Sequence, residues 1–236
     1  MKINSSKYSR RLVIGDIHGC EKTLEALVEK INLQPNDALF FLGDYIDRGP
    51  SSAGVIDYIL SLKEKNYTIF TLRGNHEQDF MEISENYSPE FFRHYAKTIL
   101  RSSSLLKKSG KIKKRFRKFF KDTVLYYELE DFFLVHAGFN FKNDNFLEDQ
   151  TAILNLRDWK FDINRTNGKK IIHGHQPTDR KKIIKAVKKN KHRIPLDNGC
   201  VYNKPHKYYD FNKLGHLCCL DINSMKLIFQ ENIDQI

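Results

Sequence analysis

Five short motifs in this chain each begin where a run of apolar residues stops. They are Gly15-Asp16-Ile17-His18-Gly19, Gly43-Asp44-Tyr45-Ile46-Asp47-Arg48-Gly49, Gly74-Asn75-His76-Glu77, His136-Ala137-Gly138 and His173-Gly174-His175. A polar residue carried past the carboxyl end of a buried strand is held at a sheet edge, where open α/β folds place their ligands. The first and last motifs lie far apart in sequence yet would have to share one site, which argues for a single domain. A length of 236 residues allows this, since domains run to roughly 150 residues and α/β folds often exceed that.

The spacing of apolar residues predicts a strand at Arg11–Gly15 and a helix over Glu21–Ile31, with Leu24, Leu27, Val28 and Ile31 on one face. A second strand follows at Asp37–Leu42, a helix at Ser51–Lys63, and a third strand at Thr68–Leu72. This βαβαβ order favours right-handed crossovers and a parallel sheet. Residues 77–121 read as helical. Strands are expected at Phe132–Val135 and Lys170–Ile172, and a hairpin-like pair at Gly215–Ile222 and Lys226–Phe229.

Hydrophobic residues make up 40% of the chain, enough for a core. Its longest apolar runs, such as Ala38–Leu42, fall far below the roughly 18 residues of a membrane helix. The apolar stretch after Arg11 is too short for a signal peptide. Cys20, Cys200, Cys218 and Cys219 show no CxxC spacing and read as small core residues, so a reducing cytoplasmic compartment is expected.

The net charge of +11 belongs to two segments. Residues 101–121 hold ten Lys/Arg and 180–193 hold eight, with no acid in either, so the remainder carries −7. In the first, Ile112, Phe116, Phe119 and Phe120 fall at helical spacing. The favoured reading is an amphipathic helix with a solvated cationic face. The alternative is a docking surface for an acidic protein, nucleic acid or anionic lipid, and both segments could steer anionic substrates.

The motifs supply carboxylates, one amide and several imidazoles, the O/N donors that divalent Mn, Fe, Zn and Co accept. Asp16 and His18 stand two apart, so an extended segment would aim both at one ion. Asp44 ends the second strand in the same way and could bridge two ions. Arg48 offers a planar fork matched to phosphate oxygens. Asn75 can give a carbonyl oxygen to a metal, while its neighbour His76 points elsewhere and is the candidate general acid, with Asp47 as its orienting carboxylate. His136 and His175 are candidate ligands of a second ion. Taken singly, each motif is also an ordinary turn, cap or structural histidine; their joint occurrence favours a site.

Together Asp-x-His, Gly-Asp-x-x-Asp-Arg-Gly, Gly-Asn-His-Glu, His-Ala-Gly and Gly-His-Gln-Pro resemble the calcineurin-like metallophosphoesterases. Within them the likeness is to the PPP-type serine/threonine protein phosphatases, especially compact bacterial and phage forms, over Leu12 to about Cys200. The resemblance implies an α/β fold: an αββα sandwich of two mixed sheets flanked by helices, one domain over 1–236 with a helical, basic insertion at about 80–121. It implies two divalent ions, manganese foremost, one held by Asp16, His18 and Asp44 and the other by Asp44, Asn75, His136 and His175. Arg48 and Arg157 would bind phosphoryl oxygens, with Asn75 also beside the substrate.

Asp197-Asn198-Gly199-Cys200 is expected to be structural support. His173 stands where the family has another residue type and could line the ligands, touch substrate, or rival His175. The implied reaction is hydrolysis by a metal-activated water, with His76 and Asp47 serving the leaving group and a phosphoserine or phosphothreonine protein as substrate. The rivals are a symmetrical dinucleoside polyphosphate hydrolase, a nucleic-acid phosphodiesterase, and a basic binding protein on an inactive fold.

Overall fold

In the computed structural model, which describes residues 1–235, two sheets pack face to face between helices. The first contains β1 (Arg11–Ile14), β2 (Ala38–Phe41) and β3 (Thr68–Thr71), joined by α1 (Glu21–Ile31) and α2 (Ser52–Glu64). These three strands are parallel, in the order β3-β2-β1. The C-terminal hairpin, β8 (His216–Asp221) and β9 (Lys226–Glu231), continues the sheet antiparallel beside β1. The second sheet orders β4 (Tyr126–Glu128), β5 (Phe132–Val135), β6 (Lys170–His173) and β7 (Arg193–Pro195), parallel except for β4 against β5.

Strand alternation explains the layers. Leu12, Ile14, Leu39, Phe41 and Cys219 face α1 and α2, whereas Val13, Phe40, Cys218 and Leu220 face the second sheet, meeting Leu134, Ile172 and Ile194. On the far side of that sheet Phe133, Val135 and Ile171 pack with Ile153 of α6 (Gln150–Asn155). Because both faces of the inner strands are buried, those strands read as unbroken apolar runs.

The region expected to be helical divides into α3 (Asn75–Asn86), α4 (Pro89–Thr98) and α5 (Lys114–Asp122). Ser88 starts α4, its hydroxyl accepting from the Phe91 amide ahead of a first-turn proline. Between α4 and α5 the chain is not helical throughout: a short 3₁₀ turn at Ser103–Leu105 leads into a bridge between Leu106 and Ile112. In α5 the Phe stripe is buried, with Phe116, Phe119 and Phe120 in the main core. Each such ring contributes about 1.5–3 kcal/mol by burial. Its charged face makes exposed pairs, Arg115 with Asp57 and Arg117 with Glu85. The second basic segment forms α7 (Arg180–Lys188), which buries Ile183, Ala186 and Val187. No helix among the described residues is long and apolar enough to cross a membrane.

Candidate metal centre

All five motifs meet at one edge shared by the two sheets. Asp16 and His18 follow β1, Asp44 follows β2, Asn75 opens α3, His136 follows β5 and His175 lies just past β6. His18, Asp44, Asp47, Arg48 and His175 have φ of +49°, +52°, +69°, +68° and +68°. The left-handed region costs a residue with a side chain roughly 1–2 kcal/mol, so the surrounding bonds must hold these backbones in place. The Ile17 and His18 amides donate to the Asp44 carbonyl at 3.0 and 2.9 Å. The His175 amide donates to Asp16 Oδ2 at 2.9 Å.

The segment Asp16–His18 is therefore not extended, as the two-residue spacing suggested. The left-handed turn at His18 brings its Nε2 to 3.5 Å from Asp44 Oδ2, while the Asp16 carboxylate lies against His175. Among the described residues two clusters hold ligand atoms within 4.8 Å of one another: His18–Asp44–His76 and Asp44–His136–His175. Asp44 belongs to both. Asp16 lies beside them, its Oδ2 accepting from the His175 amide, and His76 joins the first cluster.

Hydrogen bonding shows that this pocket suits cations. His18 Nδ1 and His136 Nδ1 each lie 2.9 Å from a backbone carbonyl, of Ile46 and Leu42. Burial lowers both imidazole pKa values, so each ring carries one proton and spends it on that carbonyl. Each Nε2 then presents a lone pair, that of His18 accepting from Arg48 Nη1 at 2.6 Å. That of His136 faces Asn75 Oδ1 at 3.1 Å and Asp44 Oδ1 at 3.5 Å. Asn75 Oδ1 is also 3.0 Å from His175 Nδ1. Burial pushes the His175 pKa down to about 3, so this ring is neutral too.

Asp16 adds a buried Oδ1 without a hydrogen-bond partner, and its pKa is pushed up by burial and then by Asp197 and Asp44. Acceptors converging in a buried space repel one another unless a cation lies between them. The close fit depends on glycine: a Cβ on Gly174 would stand 2.0 Å from Asp16 Oδ1.

The first turn of α3 separates three roles by its 100° step per residue. Asn75 faces the Asp44–His136–His175 cluster. His76 turns to Asp47, donating Nδ1–H to Oδ2 at 2.7 Å. Burial tends to lower the His76 pKa, but the charge on Asp44 and the Asp47 bond outweigh it, and the net shift is upward. Glu77 turns back and accepts from four backbone amides, of Asp44, Tyr45, Ile46 and Gly74. It thereby fastens the loop after β2 to the start of α3.

Ser102 lies behind Asp47, its hydroxyl bonded to Asp47 Oδ1 and to Ser52 Oγ, and accepting from the Asp47 amide at 3.1 Å. No motif marks Ser102. Glu77 was readable in principle, as the third residue of a helix whose cap is Gly74.

Arg48 Nη1 is 2.6 Å from His18 Nε2, and its guanidinium lies 5.9 Å from the Tyr202 ring centre. Arg157 is exposed, with its charge close enough to lower the His175 pKa. His173 does not rival His175. It stands outside both clusters, accepts from Arg193 Nε at 3.0 Å, and has its pKa pushed down to about 3 by burial and that guanidinium. Asp197 does support its turn, Oδ1 accepting from the Gly199 amide at 2.6 Å. It is also fully buried, its pKa pushed up to about 7 by burial, and it acts electrostatically on Asp16.

A family model of calcineurin-like phosphoesterases matches residues 9–227. The asymmetrical bis(5'-nucleosyl)-tetraphosphatase PrpE of Oceanobacillus iheyensis is 26% identical over 227 residues, covering 84% of this chain and 87% of that protein. A symmetrical bis(5'-nucleosyl)-tetraphosphatase of Wigglesworthia glossinidia brevipalpis is 42% identical over only 66 residues, 28% of this chain and 23% of that one. A protein serine/threonine phosphatase structure from Saccharomyces cerevisiae superposes with a TM-score of 0.64 at 17% identity, covering 100% of this chain and 84% of that one. With the matched region spanning nearly the whole chain and its five motifs gathered at one sheet edge, the chain belongs to the calcineurin-like phosphoesterases.

Proposed function

We propose that this chain is a two-metal hydrolase of dinucleoside tetraphosphates, cutting a phosphoanhydride bond to give unequal products. The observation carrying the substrate class is the likeness to an asymmetrically cleaving tetraphosphatase along 84% of the chain. Its likeness to the symmetrical enzyme is confined to a short stretch. This reading takes precedence over the phosphoprotein substrate expected from the motifs.

In it, one metal would be held by Asp16, His18 and Asp44 and the other by Asp44, Asn75, His136 and His175. When bound, the divalent pair supplies Lewis acidity and a water acidic enough to attack phosphorus near neutral pH. Arg48 and Arg157 brace the phosphoryl oxygens, and their fixed positive charge offsets the charge that grows there. His76, held by Asp47, keeps a proton at the leaving-group side.

One observation favours a second reading, a serine/threonine phosphoprotein phosphatase: the 2.7 Å His76–Asp47 pair. A nucleotide leaves as a weakly basic anion and needs little protonation, whereas a serine alkoxide is strongly basic and needs a poised acid. A parallel assay with added Mn²⁺ on dinucleoside tetraphosphate, phosphoserine and phosphothreonine peptides, and single-stranded DNA tests both. The tetraphosphate is expected to give the highest kcat/KM, with a nucleoside triphosphate and a monophosphate as products. Faster turnover of a phosphopeptide would transfer the proposal to the second reading.

A further inference from the structure

Next to the metal centre lies a cavity of about 990 Å³ that the motifs do not account for. This is at the upper end of the roughly 300–1,000 Å³ typical of small-molecule sites. Its walls include three half-buried aromatic rings, of Phe141, Trp159 and Phe161. Phe141 links the set, its ring centre 6.2 Å from Trp159 and 6.4 Å from Phe161. Three large rings left half-open around one space form a surface suited to a flat aromatic ligand.

The wall of the cavity adjoins the catalytic edge. A Cβ on Gly138, two residues past His136, would stand 2.3 Å from Trp159 Nε1, so the indole packs directly on that loop. Leu156 and Asp158, on either side of Arg157, both line the cavity. Arg193 forms the shared wall. Its guanidinium lies 4.2 Å from the Trp159 ring centre, and it donates to His173 Nε2 at 3.0 Å and to the Trp159 carbonyl at 3.2 Å. Lys142, Lys160 and Arg193 line the same space with Asp158 and Asp162, leaving an excess of positive charge where a phosphate chain would pass.

We infer that this cavity seats the base of a nucleotide substrate, its phosphate chain running past Arg157 to the metal centre. The assignment rests on the dinucleotide reading above, which gives the metal-bound phosphate an aromatic group to place nearby.

Trp159 is the one tryptophan of the chain, so its fluorescence reports on this cavity and on the metal-centre loop packed against it. The metal-loaded protein is titrated with adenosine, with ribose, and with tyrosinamide as a phenol-bearing control. Adenosine is expected to change the emission saturably, while ribose gives no change and tyrosinamide binds at least tenfold more weakly. Phe161→Leu, which keeps apolar bulk but removes a ring, should weaken adenosine about tenfold, in line with the loss of one base–aromatic stack. It should raise KM for dinucleoside tetraphosphate by a similar factor, with the loss carried in KM rather than in kcat.

Tyrosinamide binding as well as adenosine, or no saturable adenosine response, would overturn the nucleobase assignment. Tetraphosphate cleavage with no adenosine response and an unchanged KM in Phe161→Leu would remove the cavity proposal and leave the proposed function standing. Saturable adenosine binding without tetraphosphate cleavage would do the reverse.

Discussion

Asp47 Oδ2 accepts the Nδ1 proton of His76 at 2.7 Å, while Ser102 is bonded to the other carboxylate oxygen. Both oxygens are thus engaged, and His76 is left with Nε2 facing the site. The raised pKa of His76 follows from the net effect of its neighbours. Asp47→Asn should take away part of that support. The alkaline limb of the pH–rate profile should move to lower pH, because the acid form of His76 would be lost sooner. The rate loss, up to the roughly 10²–10⁴-fold of a general acid, should be larger for alkyl phosphate esters than for polyphosphates. Equal losses on both substrates would argue against proton donation by His76.

Asp44 is the residue common to both ligand clusters. Asp44→Ala should therefore reduce metal content at both positions and abolish turnover. Elemental analysis of the purified variant checks this; two full equivalents of metal would contradict a shared carboxylate.

Glu77 is buried and accepts from four main-chain amides. Glu77→Gln keeps the shape but turns an amide NH₂ toward some of those donors. Burial raises the Glu77 pKa to about 8, so the cost is that of buried donors left unpaired, about 1–3 kcal/mol, and a stability loss of about that size is expected. Urea unfolding of the variant would measure it, and a loss below about 0.5 kcal/mol would mean that the clamp contributes little.

Glu130 ties the N-terminal segment to the turn between β4 and β5. It accepts from the Ser5 hydroxyl and from the Ser5 and Ser6 amides at 2.8 and 3.3 Å. Burial would raise its pKa, but these bonds prevail and hold it at about 2, against 4.5 for a free glutamate. The folded chain then binds fewer protons than the unfolded one. Its contribution is complete above about pH 4.5 and fades as the pH falls through about 2. Glu130→Gln should narrow the stability difference between pH 6 and pH 3 seen in denaturant titrations.

The Phe stripe of α5 is buried while its cations face solvent. Phe119→Ala should cost about 3–5 kcal/mol. By contrast, Arg117→Glu breaks an exposed pair, and Arg115→Glu an exposed pair plus a guanidinium contact 4.5 Å from the Phe116 ring centre, so changes of about 1 kcal/mol or less are expected. Thermal unfolding of the three variants separates a structural stripe from a charged surface.

Much of the fold was legible because local pattern and tertiary environment agree. Strands β1 and β2 are buried on both faces and so appear as plain apolar runs, β3 at the sheet edge is half-buried and shows only Ile69 and Phe70 between threonines, and α1 and α2 show one clear stripe each. Strands β4 and β7 gave no such signal. Each is three residues long, and β7, Arg-Ile-Pro, gains its strand character only by pairing with β6.

The candidate ligands were marked by glycine-flanked motifs, but their geometry was not. An extended Asp16–His18 was a reasonable reading of spacing alone. The left-handed backbone at His18 depends on the Asp44 carbonyl, which sequence does not bring near. His173 likewise became interpretable only with Arg193, twenty residues later, at its Nε2. The aromatic cavity draws on Phe141, Trp159 and Phe161, which no periodicity connects.

The Ser102 contact is one of several from the stretch between α4 and the following 3₁₀ turn. The Leu100 carbonyl accepts from the Arg48 amide at 3.3 Å, and Arg101 Nη1 donates to the Arg48 carbonyl at 3.4 Å. The stretch thus grips two neighbouring residues proposed to serve leaving group and phosphoryl group. Grafting residues 77–121 from a relative would then exchange more than an outer ornament. Unless the transplanted stretch restores the contacts to Asp47 and Arg48, the recipient could keep its full set of metal ligands and still be a poor catalyst. Variation in this part of the chain would be felt as a change in rate rather than in metal affinity.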